Sequence, residues 1–128
     1  MKPEKLVSGM IEHAERIARY TQGLDRETLL GNDMILEACV FNLSQIGELA
    51  GRVDENCRRL HPEIAWNQIR GLRNRLVHDY EGVNRQLLWE IIADDLPALT
   101  AALRMLKAAL AAGESDADMP PAQRPERM

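Results

Sequence analysis

"NDMILEACVFNLSQIGELAGRV", residues 32–53, decides the fold class of this chain. Its apolar side chains recur every three or four residues, a spacing that places them on one face of an α-helix; they are Ile35, Ala38, Cys39, Leu43, Ile46, Ala50 and Val53. Asn32 and Asp33 are both residue types that begin helices, so the helix is predicted to start at one of them. Gly47 lies inside the helix, and an interior glycine indicates a close crossing with another helix. The stretch therefore predicts a long central helix in a helical domain.

The helical pattern continues on both sides of this segment. Residues 3–21 carry one apolar stripe, which "QGLD" ends with Gly23 as a C-cap. Asp25 is then a candidate N-cap for a short extra helical turn. After the central helix, "HPEIAW" (61–66) interrupts the pattern, because proline disfavours helix at the residue before it and suits the first turn of the next helix. A third helix is therefore predicted from about residue 63 to residue 80.

The last third of the chain predicts one more helix and a tail. A fourth, long helix begins near Asn84, and Pro97 is expected to kink or break it because proline removes one backbone donor. No segment alternates as a half-buried strand would. The chain is therefore predicted to be all-α, an up-and-down bundle of four main helices with a short extra helix, over residues 1–112. Residues 113–128, "GESDADMPPAQRPERM", have almost nothing to bury and are predicted to be a disordered tail.

Composition narrows the class of protein. The 128 residues carry a formal charge of −4, so no global basic surface indicates nucleic-acid binding, although residues 52–85 have more basic than acidic side chains. Cys39 and Cys57 are too far apart for a paired-ligand motif and are read as small buried hydrophobes in a reducing compartment. The first residues lack the apolar core of a signal peptide, and no run approaches the length of a membrane span. A cytoplasmic protein without a membrane partner is expected.

"RNRLVHDY", residues 73–80, places polar side chains in what otherwise reads as an apolar helix stripe. On an ideal helix Arg73 and Tyr80 fall within about 20° of each other on the inward face, and a buried guanidinium there would need a partner. Arg73 and His78 are about 140° apart on the same helix, so they converge only if the helix is distorted near His78 or a second copy of the chain contributes. The stretch is either a site or a polar helix end.

Other polar residues have simpler readings. His13 lies among charged residues and is read as a solvated surface histidine, while His61 precedes a proline in a turn and is read as structural. No histidines and cysteines stand at the spacing of a zinc site, so no metal is expected, and no cofactor is expected either. The tryptophans Trp66 and Trp89 flank the 73–80 stretch and are read as packing residues. A positive rim for RNA phosphates is a candidate role for five arginines, namely Arg52, Arg58, Arg59, Arg70 and Arg75.

The stretch resembles a known family. Arg73, His78 and Tyr80 match the R-x4-H-x-Y pattern of the HEPN superfamily, in its HepT-like toxin branch. The surroundings are similar in order and spacing: "NLSQIGELA" in the second main helix, "HPEIAWNQIRGLRNRLVHDYEGVN" around the motif and "LLWEIIADDLPAL" after it. The resemblance covers roughly residues 5–110. One departure is Phe41, where the branch leads us to expect a basic residue.

The resemblance implies a function, a homodimer, an RNA substrate and an antitoxin partner. HepT-like proteins are helical homodimers and metal-independent endoribonucleases, the toxins of a type VII-like toxin–antitoxin system. Their antitoxin is a minimal nucleotidyltransferase that transfers AMP to the motif tyrosine, here Tyr80. Histidine can exchange protons near neutral pH and arginine can hold phosphate oxygens. His78 is therefore expected to transfer protons and Arg73 to hold the RNA phosphate, with Asn74 in support.

Two other functions fit the same sequence. A non-catalytic HEPN subunit could present a substrate, or its own tyrosine, to a partner nucleotidyltransferase. A structural helical dimer without any role in RNA cleavage is a third interpretation. Arg73, Asn74 and His78 favour the enzyme, because an adaptor has no chemical need for this trio. The acidic net charge favours the non-catalytic alternatives.

Overall fold

The computed structural model describes residues 1–78 and 82–117. The helices are α1 (Pro3–Thr21), α2 (Arg26–Leu30), α3 (Asp33–Arg52), α4 (Glu55–Leu60), α5 (Trp66–Arg70), α6 (Leu72–Leu76), α7 (Arg85–Glu90) and α8 (Leu96–Ala117). A π-helical turn, Ile91–Asp95, joins α7 to α8, and two short strands, β1 (Val77–His78) and β2 (Gly82–Val83), pair between α6 and α7. The domain is all-α and HEPN-like, as predicted.

The helix beginnings follow from side-chain caps. Asn32 accepts a hydrogen bond from the backbone N–H of Ile35 at the start of α3, and Asp25 accepts one from Thr28 at the start of α2. This bond from the Thr28 backbone lowers the pKa of the Asp25 carboxyl group. α1 ends at Thr21, and Gly23 follows with φ of +75°, a left-handed conformation that glycine adopts without strain. The predicted bounds of α1 and the predicted starts of α2 and α3 are confirmed.

The core lies between α1, α3, α8 and the consecutive helices α5 and α6. α1 packs against α3 and α8, and α3 packs against α5 and α6 on its other side. The predicted stripes supply most of the buried side chains, among them Val7, Met10, Ile17, Leu43, Ile46, Leu72, Leu76, Leu88, Leu103 and Leu106. Both cysteines are buried, as predicted, and burial raises the pKa of the Cys39 thiol to about 11.

The predicted close helix crossing at Gly47 is confirmed. A Cβ atom on Gly47 would stand 2.8 Å from the backbone carbonyl oxygen of Ile69, closer than side-chain carbon atoms approach backbone. Glycine at this position therefore lets α3 lie directly against the backbone of α5. This contact fixes where the chain that leads to the 73–80 stretch crosses the central helix.

The third helix differs from the prediction in two places. Helix begins at Trp66 rather than near residue 63, and Gly71 divides it into α5 and α6 because glycine is a weak helix former. It ends at Leu76, since Val77 is extended (φ −113°, ψ 120°) and pairs with Val83 as a β-strand. The expectations of one helix to residue 80 and of no strand are therefore wrong.

The fourth helix continues through the predicted break. The N–H of Leu96 bonds to the carbonyl of Ile91, five residues earlier, so the chain forms a π turn immediately before Pro97. Because Pro97 has no N–H to donate, the preceding turn is the place where an α-helical ladder is weakest. The helix thus contains one extra residue in this turn, where a kink or break was expected.

The continuous helix Arg85–Gly113 corrects one expectation about membranes. Its 29 residues are long and apolar enough to span a bilayer by length and composition alone, so the statement that no run approaches that length is wrong. This is a weak indication, because the core helix of a soluble protein passes the same test. Here the helix buries Leu88, Ile91 and Leu103 in the bundle. α8 itself continues to Ala117, so residues 113–117 of the predicted tail are helical, and residues 118–128 lie outside the described residues.

Candidate active site

The residues of the 73–80 stretch are carried by two different elements. Arg73 and Asn74 lie on α6, whose buried Leu72 and Leu76 hold it against the core. His78 lies on β1, beyond the end of the helix. The helical count that separated Arg73 from His78 by about 140° therefore does not apply, because the backbone is extended after Leu76. The distortion that convergence required is present.

All four described polar residues of the stretch face solvent, Arg75 included. Arg73, Asn74 and His78 are exposed. The expectation that Arg73 lies on the inward face is wrong, because Leu72 and Leu76 alone hold the inward positions of α6. Arg73 therefore needs no buried partner and is free to meet a ligand from solvent.

Backbone pairing holds His78 in place. Val77 pairs with Val83 and His78 with Gly82, in an antiparallel register. The N–H of Asn84 donates to the carbonyl of Leu76 at 2.7 Å, so the last carbonyl of α6 is satisfied from beyond the hairpin. Residues 79–81 connect the two strands in sequence and lie outside the described residues, so the expected role of Tyr80 stays a prediction.

The start of α7 anchors the other end of this hairpin. The Asn84 side chain caps α7 by accepting from the N–H of Leu87 at 3.1 Å. The Arg85 guanidinium donates to the carbonyl of Leu30 and lies 3.4 Å from an Asp33 carboxylate oxygen. Sequence reasoning placed a helix start at Asn84 but missed Arg85, because nothing in the local pattern indicates which distant carbonyl it reaches.

The five candidate rim arginines are carried by four helices, α3, α4, α5 and α6. The Nε atom of Arg70 lies 3.7 Å from the Cβ position of Gly51, so Arg70 covers the end of α3 next to Arg52. Arg58 and Arg59 lie on α4, where Arg59 donates to the Asn56 side chain at 2.9 Å. Arg75 instead lines a cavity between α5 and α8. Their contact with RNA stays a prediction.

Two histidines outside the stretch have structural contacts. His61 accepts a hydrogen bond at its backbone carbonyl from the Trp66 indole, at 2.9 Å, and its ring lies 3.5 Å from Glu63. His13 is half-buried and bonds to the side chain of Asn42 at 2.8 Å, so the expectation of a solvated surface histidine is wrong. Within residues 1–78 and 82–117, no three His, Cys, Asp or Glu side chains come together as a possible metal site.

Comparison with known proteins gives the family. The chain matches the family described as "Ribonuclease HepT-like" over residues 10–106. It is 32% identical over 90 residues to "Putative RNase MJ1380" of Methanocaldococcus jannaschii, covering 70% of this chain and 83% of the relative. It is 31% identical over 96 residues to "Probable ribonuclease HepT" of Thermococcus cleftensis, covering 75% and 87%. No solved structure matches. The chain belongs to the HepT-like ribonuclease family.

Proposed function

We propose that this protein is the toxin of a toxin–antitoxin pair, a cytoplasmic, metal-independent endoribonuclease. The observation that carries the proposal is the exposure of Arg73, Asn74 and His78 together at the point where α6 gives way to β1. A structural helix end has no need for a histidine on an ordered strand beside an exposed arginine and an amide. The membership in a ribonuclease family supports RNA as the substrate.

The residue types suit cleavage by the 2′-hydroxyl of the RNA itself. A base removes the proton from the 2′-hydroxyl, its oxygen attacks phosphorus, and the 5′-oxygen leaves with a proton. The products are a 2′,3′-cyclic phosphate and a 5′-hydroxyl. His78 transfers protons, since an imidazole can both accept and donate a proton, and the Arg73 guanidinium holds the phosphate oxygens. Asn74 orients His78 or donates to phosphate.

Two copies of the chain would complete this chemistry. Cleavage needs both a proton acceptor and a proton donor, and the 73–80 stretch of one chain offers one histidine. We propose a homodimer that brings two such stretches into one cleft. A second copy supplies the second His78 and Arg73, in agreement with the two-fold symmetry of most small homo-oligomers.

The groove between α1 and α3 is the surface we assign to the second copy. Three large apolar side chains are exposed along it: Tyr20 (42%), Met34 (83%) and Phe41 (58%). Arg16 and Glu37 line the same groove. A surface with one basic and one acidic residue around an apolar centre is complementary to itself under a two-fold axis, because each arginine can approach the partner's glutamate. Phe41, which departs from the expected basic residue, suits an apolar contact better than an RNA contact.

The antitoxin acts on Tyr80 in this proposal. A nucleotidyltransferase on a separate chain transfers AMP to the Tyr80 hydroxyl. The transferred group adds bulk and negative charge within two residues of His78 in sequence, where the RNA backbone would lie. The modified protein therefore loses RNA binding through repulsion between phosphates.

Cleavage of total RNA by the purified protein in EDTA tests the proposal. Wild type is expected to leave 2′,3′-cyclic phosphate ends, and Arg73→Ala and His78→Ala are each expected to lower the rate by at least about 100-fold. Arg104→Ala is the matched control, because Arg104 is exposed on α8 and belongs neither to the 73–80 stretch nor to the candidate rim.

Mass spectrometry must first show that Tyr80 of the purified protein is unmodified. An unmodified wild type as inert as the double variant Arg73→Ala/His78→Ala would contradict the nuclease. The non-catalytic HEPN subunit would then be the better interpretation.

A further inference from the structure

A cavity of about 330 Å³ opens between α5 and the helix formed by the π turn and α8. Its floor is apolar and reaches the core, because Leu43, Ile69, Leu72 and Ile91 line it and are buried. This volume lies within the range of small-molecule sites, which are roughly 300–1,000 Å³ and mostly apolar. The cavity does not include Arg73, Asn74 or His78, so it is separate from the candidate active site.

The π turn builds one wall of the cavity. Ile91, Asp94, Asp95 and Leu96 all belong to the turn or follow it directly, and all four line the cavity. A π turn contains an extra residue compared with an α-helical turn, so it presents more side chains to one side. Such turns occur frequently at functional sites.

The rim of the cavity is acidic. Three carboxylates line it, those of Glu63, Asp94 and Asp95, against one guanidinium, that of Arg75. Asp94 and Asp95 are exposed, and their carboxylates form no hydrogen bond or ion pair with other residues in the described part of the chain. The excess of negative charge disfavours RNA and organic acids. It favours a ligand that carries a positive charge.

We propose that this cavity binds a small organic cation with an apolar body, an amphipathic ammonium compound. The apolar part fills the floor over Leu72 and Ile91, and the ammonium group remains at the rim beside Asp94 and Asp95. The cavity supplies both requirements at once, since burial of the apolar part provides affinity and the carboxylates select the charge. This inference is independent of the proposed function.

Three probes of equal chain length test the proposal: hexylammonium, hexanol and hexanoate. Binding is measured by NMR from the amide chemical shifts of Ile91, Leu99 and Ala102, which line the cavity. Hexylammonium is expected to bind about fivefold more tightly than hexanol, because exposed carboxylates contribute modestly, and hexanoate is expected to bind least.

Two variants separate the charge from the cavity. Asp94→Asn/Asp95→Asn is expected to remove the preference for ammonium and leave hexanol binding unchanged. Glu12→Gln/Glu48→Gln, on exposed residues outside the cavity, is the matched control and is expected to keep the preference. Ala102→Phe fills the cavity and is expected to abolish binding of all three probes.

The order in which the three probes bind decides whether the cavity selects a cation. Shifts at the cavity amides that follow the order ammonium, alcohol, carboxylate, and that lose this order in the aspartate variant, support the proposal. Equal binding of the three probes, or an unchanged order in the aspartate variant, overturns the assignment of a cationic ligand. No shift for any probe at millimolar concentration overturns the site itself. None of these results depends on RNA cleavage.

Discussion

Asn42 is the one polar side chain buried in the core within the described residues, at 4% exposure. Its side-chain nitrogen donates to the carbonyl of Ala38 at 2.8 Å, so its oxygen must accept from the Nδ1–H of His13, also at 2.8 Å. With that proton on Nδ1, the approach of Arg16 to the same nitrogen at 3.4 Å is a contact rather than a hydrogen bond. The pair ties α1 to α3 beside the groove assigned to the second copy.

The hydrogen bond between His13 and Asn42 is expected to contribute to stability. Asn42→Ala is expected to lower the free energy of unfolding by about 1–3 kcal/mol, because it opens a small cavity and leaves the His13 N–H without its partner. A double-mutant cycle with His13→Ala is expected to show a coupling of roughly 1 kcal/mol in urea unfolding.

Ser44→Ala is the control for this cycle. The Ser44 hydroxyl donates to the Val40 carbonyl within the same helix, so its removal leaves no group of another helix unpaired. Additive effects of the Asn42 and His13 variants would contradict a bond between the two helices.

The sequence predicted the burial of single residues better than their partners. Helical spacing placed the faces of α1 and α3 correctly, and both cysteines were expected to be buried. It read His13 as solvated because spacing within α1 does not reveal what α3 presents to it. The partner of Asn42 could not be predicted for the same reason, since a polar residue in an apolar stripe indicates a partner but does not identify it.

At the scale of elements, the crossing of α3 and α5 gives a second prediction. Gly47→Ala is expected to destabilise the protein by about 1–3 kcal/mol, although alanine favours helix, because its Cβ would meet the Ile69 carbonyl at 2.8 Å and the backbone must shift. Thermal or urea unfolding measures the change.

Gly51→Ala is the matched control on the same helix. There the new Cβ would lie 3.7 Å from the flexible Arg70 side chain, an ordinary contact. This variant is expected to be neutral or stabilised by up to about 1 kcal/mol, from helix propensity alone. If both variants changed stability equally, the close crossing would not be the reason for glycine at position 47.

The boundaries of α5 and α6, at Gly71 and at Leu76, could not be predicted from the spacing of apolar residues. Gly71 was compatible with a continuous helix by pattern, and only the structure places a break there. Val77 and His78 are extended because they pair with Val83 and Gly82. The spacing of apolar residues within one segment does not predict such a pairing with another segment. The candidate site depends on this break, so its residue types were predictable and its geometry was not.

At the scale of the whole molecule, the proposed dimer gives a further prediction. Phe41→Glu is expected to shift the protein from dimer to monomer in light scattering at micromolar concentration. It buries a charge where two apolar surfaces would meet. RNA cleavage is expected to fall with the dimer, while Arg73→Ala is expected to remain dimeric.

Leu60→Glu is the control for the surface. Leu60 is 65% exposed on α4, outside the groove between α1 and α3, so this variant is expected to remain dimeric. A wild-type monomer would contradict the dimer itself. A dimer unaffected by Phe41→Glu would move its interface away from this groove.

The π turn between α7 and α8 has a consequence for how this chain can vary. A π turn takes one more residue than an α-helical turn to complete about the same rotation, so removing one residue from Ile91–Asp95 would restore a regular helix and leave α7 and α8 in nearly the same relative rotation. Leu88 and Trp89 would keep their directions, and so would the strand that holds His78. Removing a residue from within α7 or α8 instead would rotate the rest of the helix by about 100°. The π turn is consequently a place where the chain can lose a residue and keep the hairpin in position, although the wall of the cavity would change.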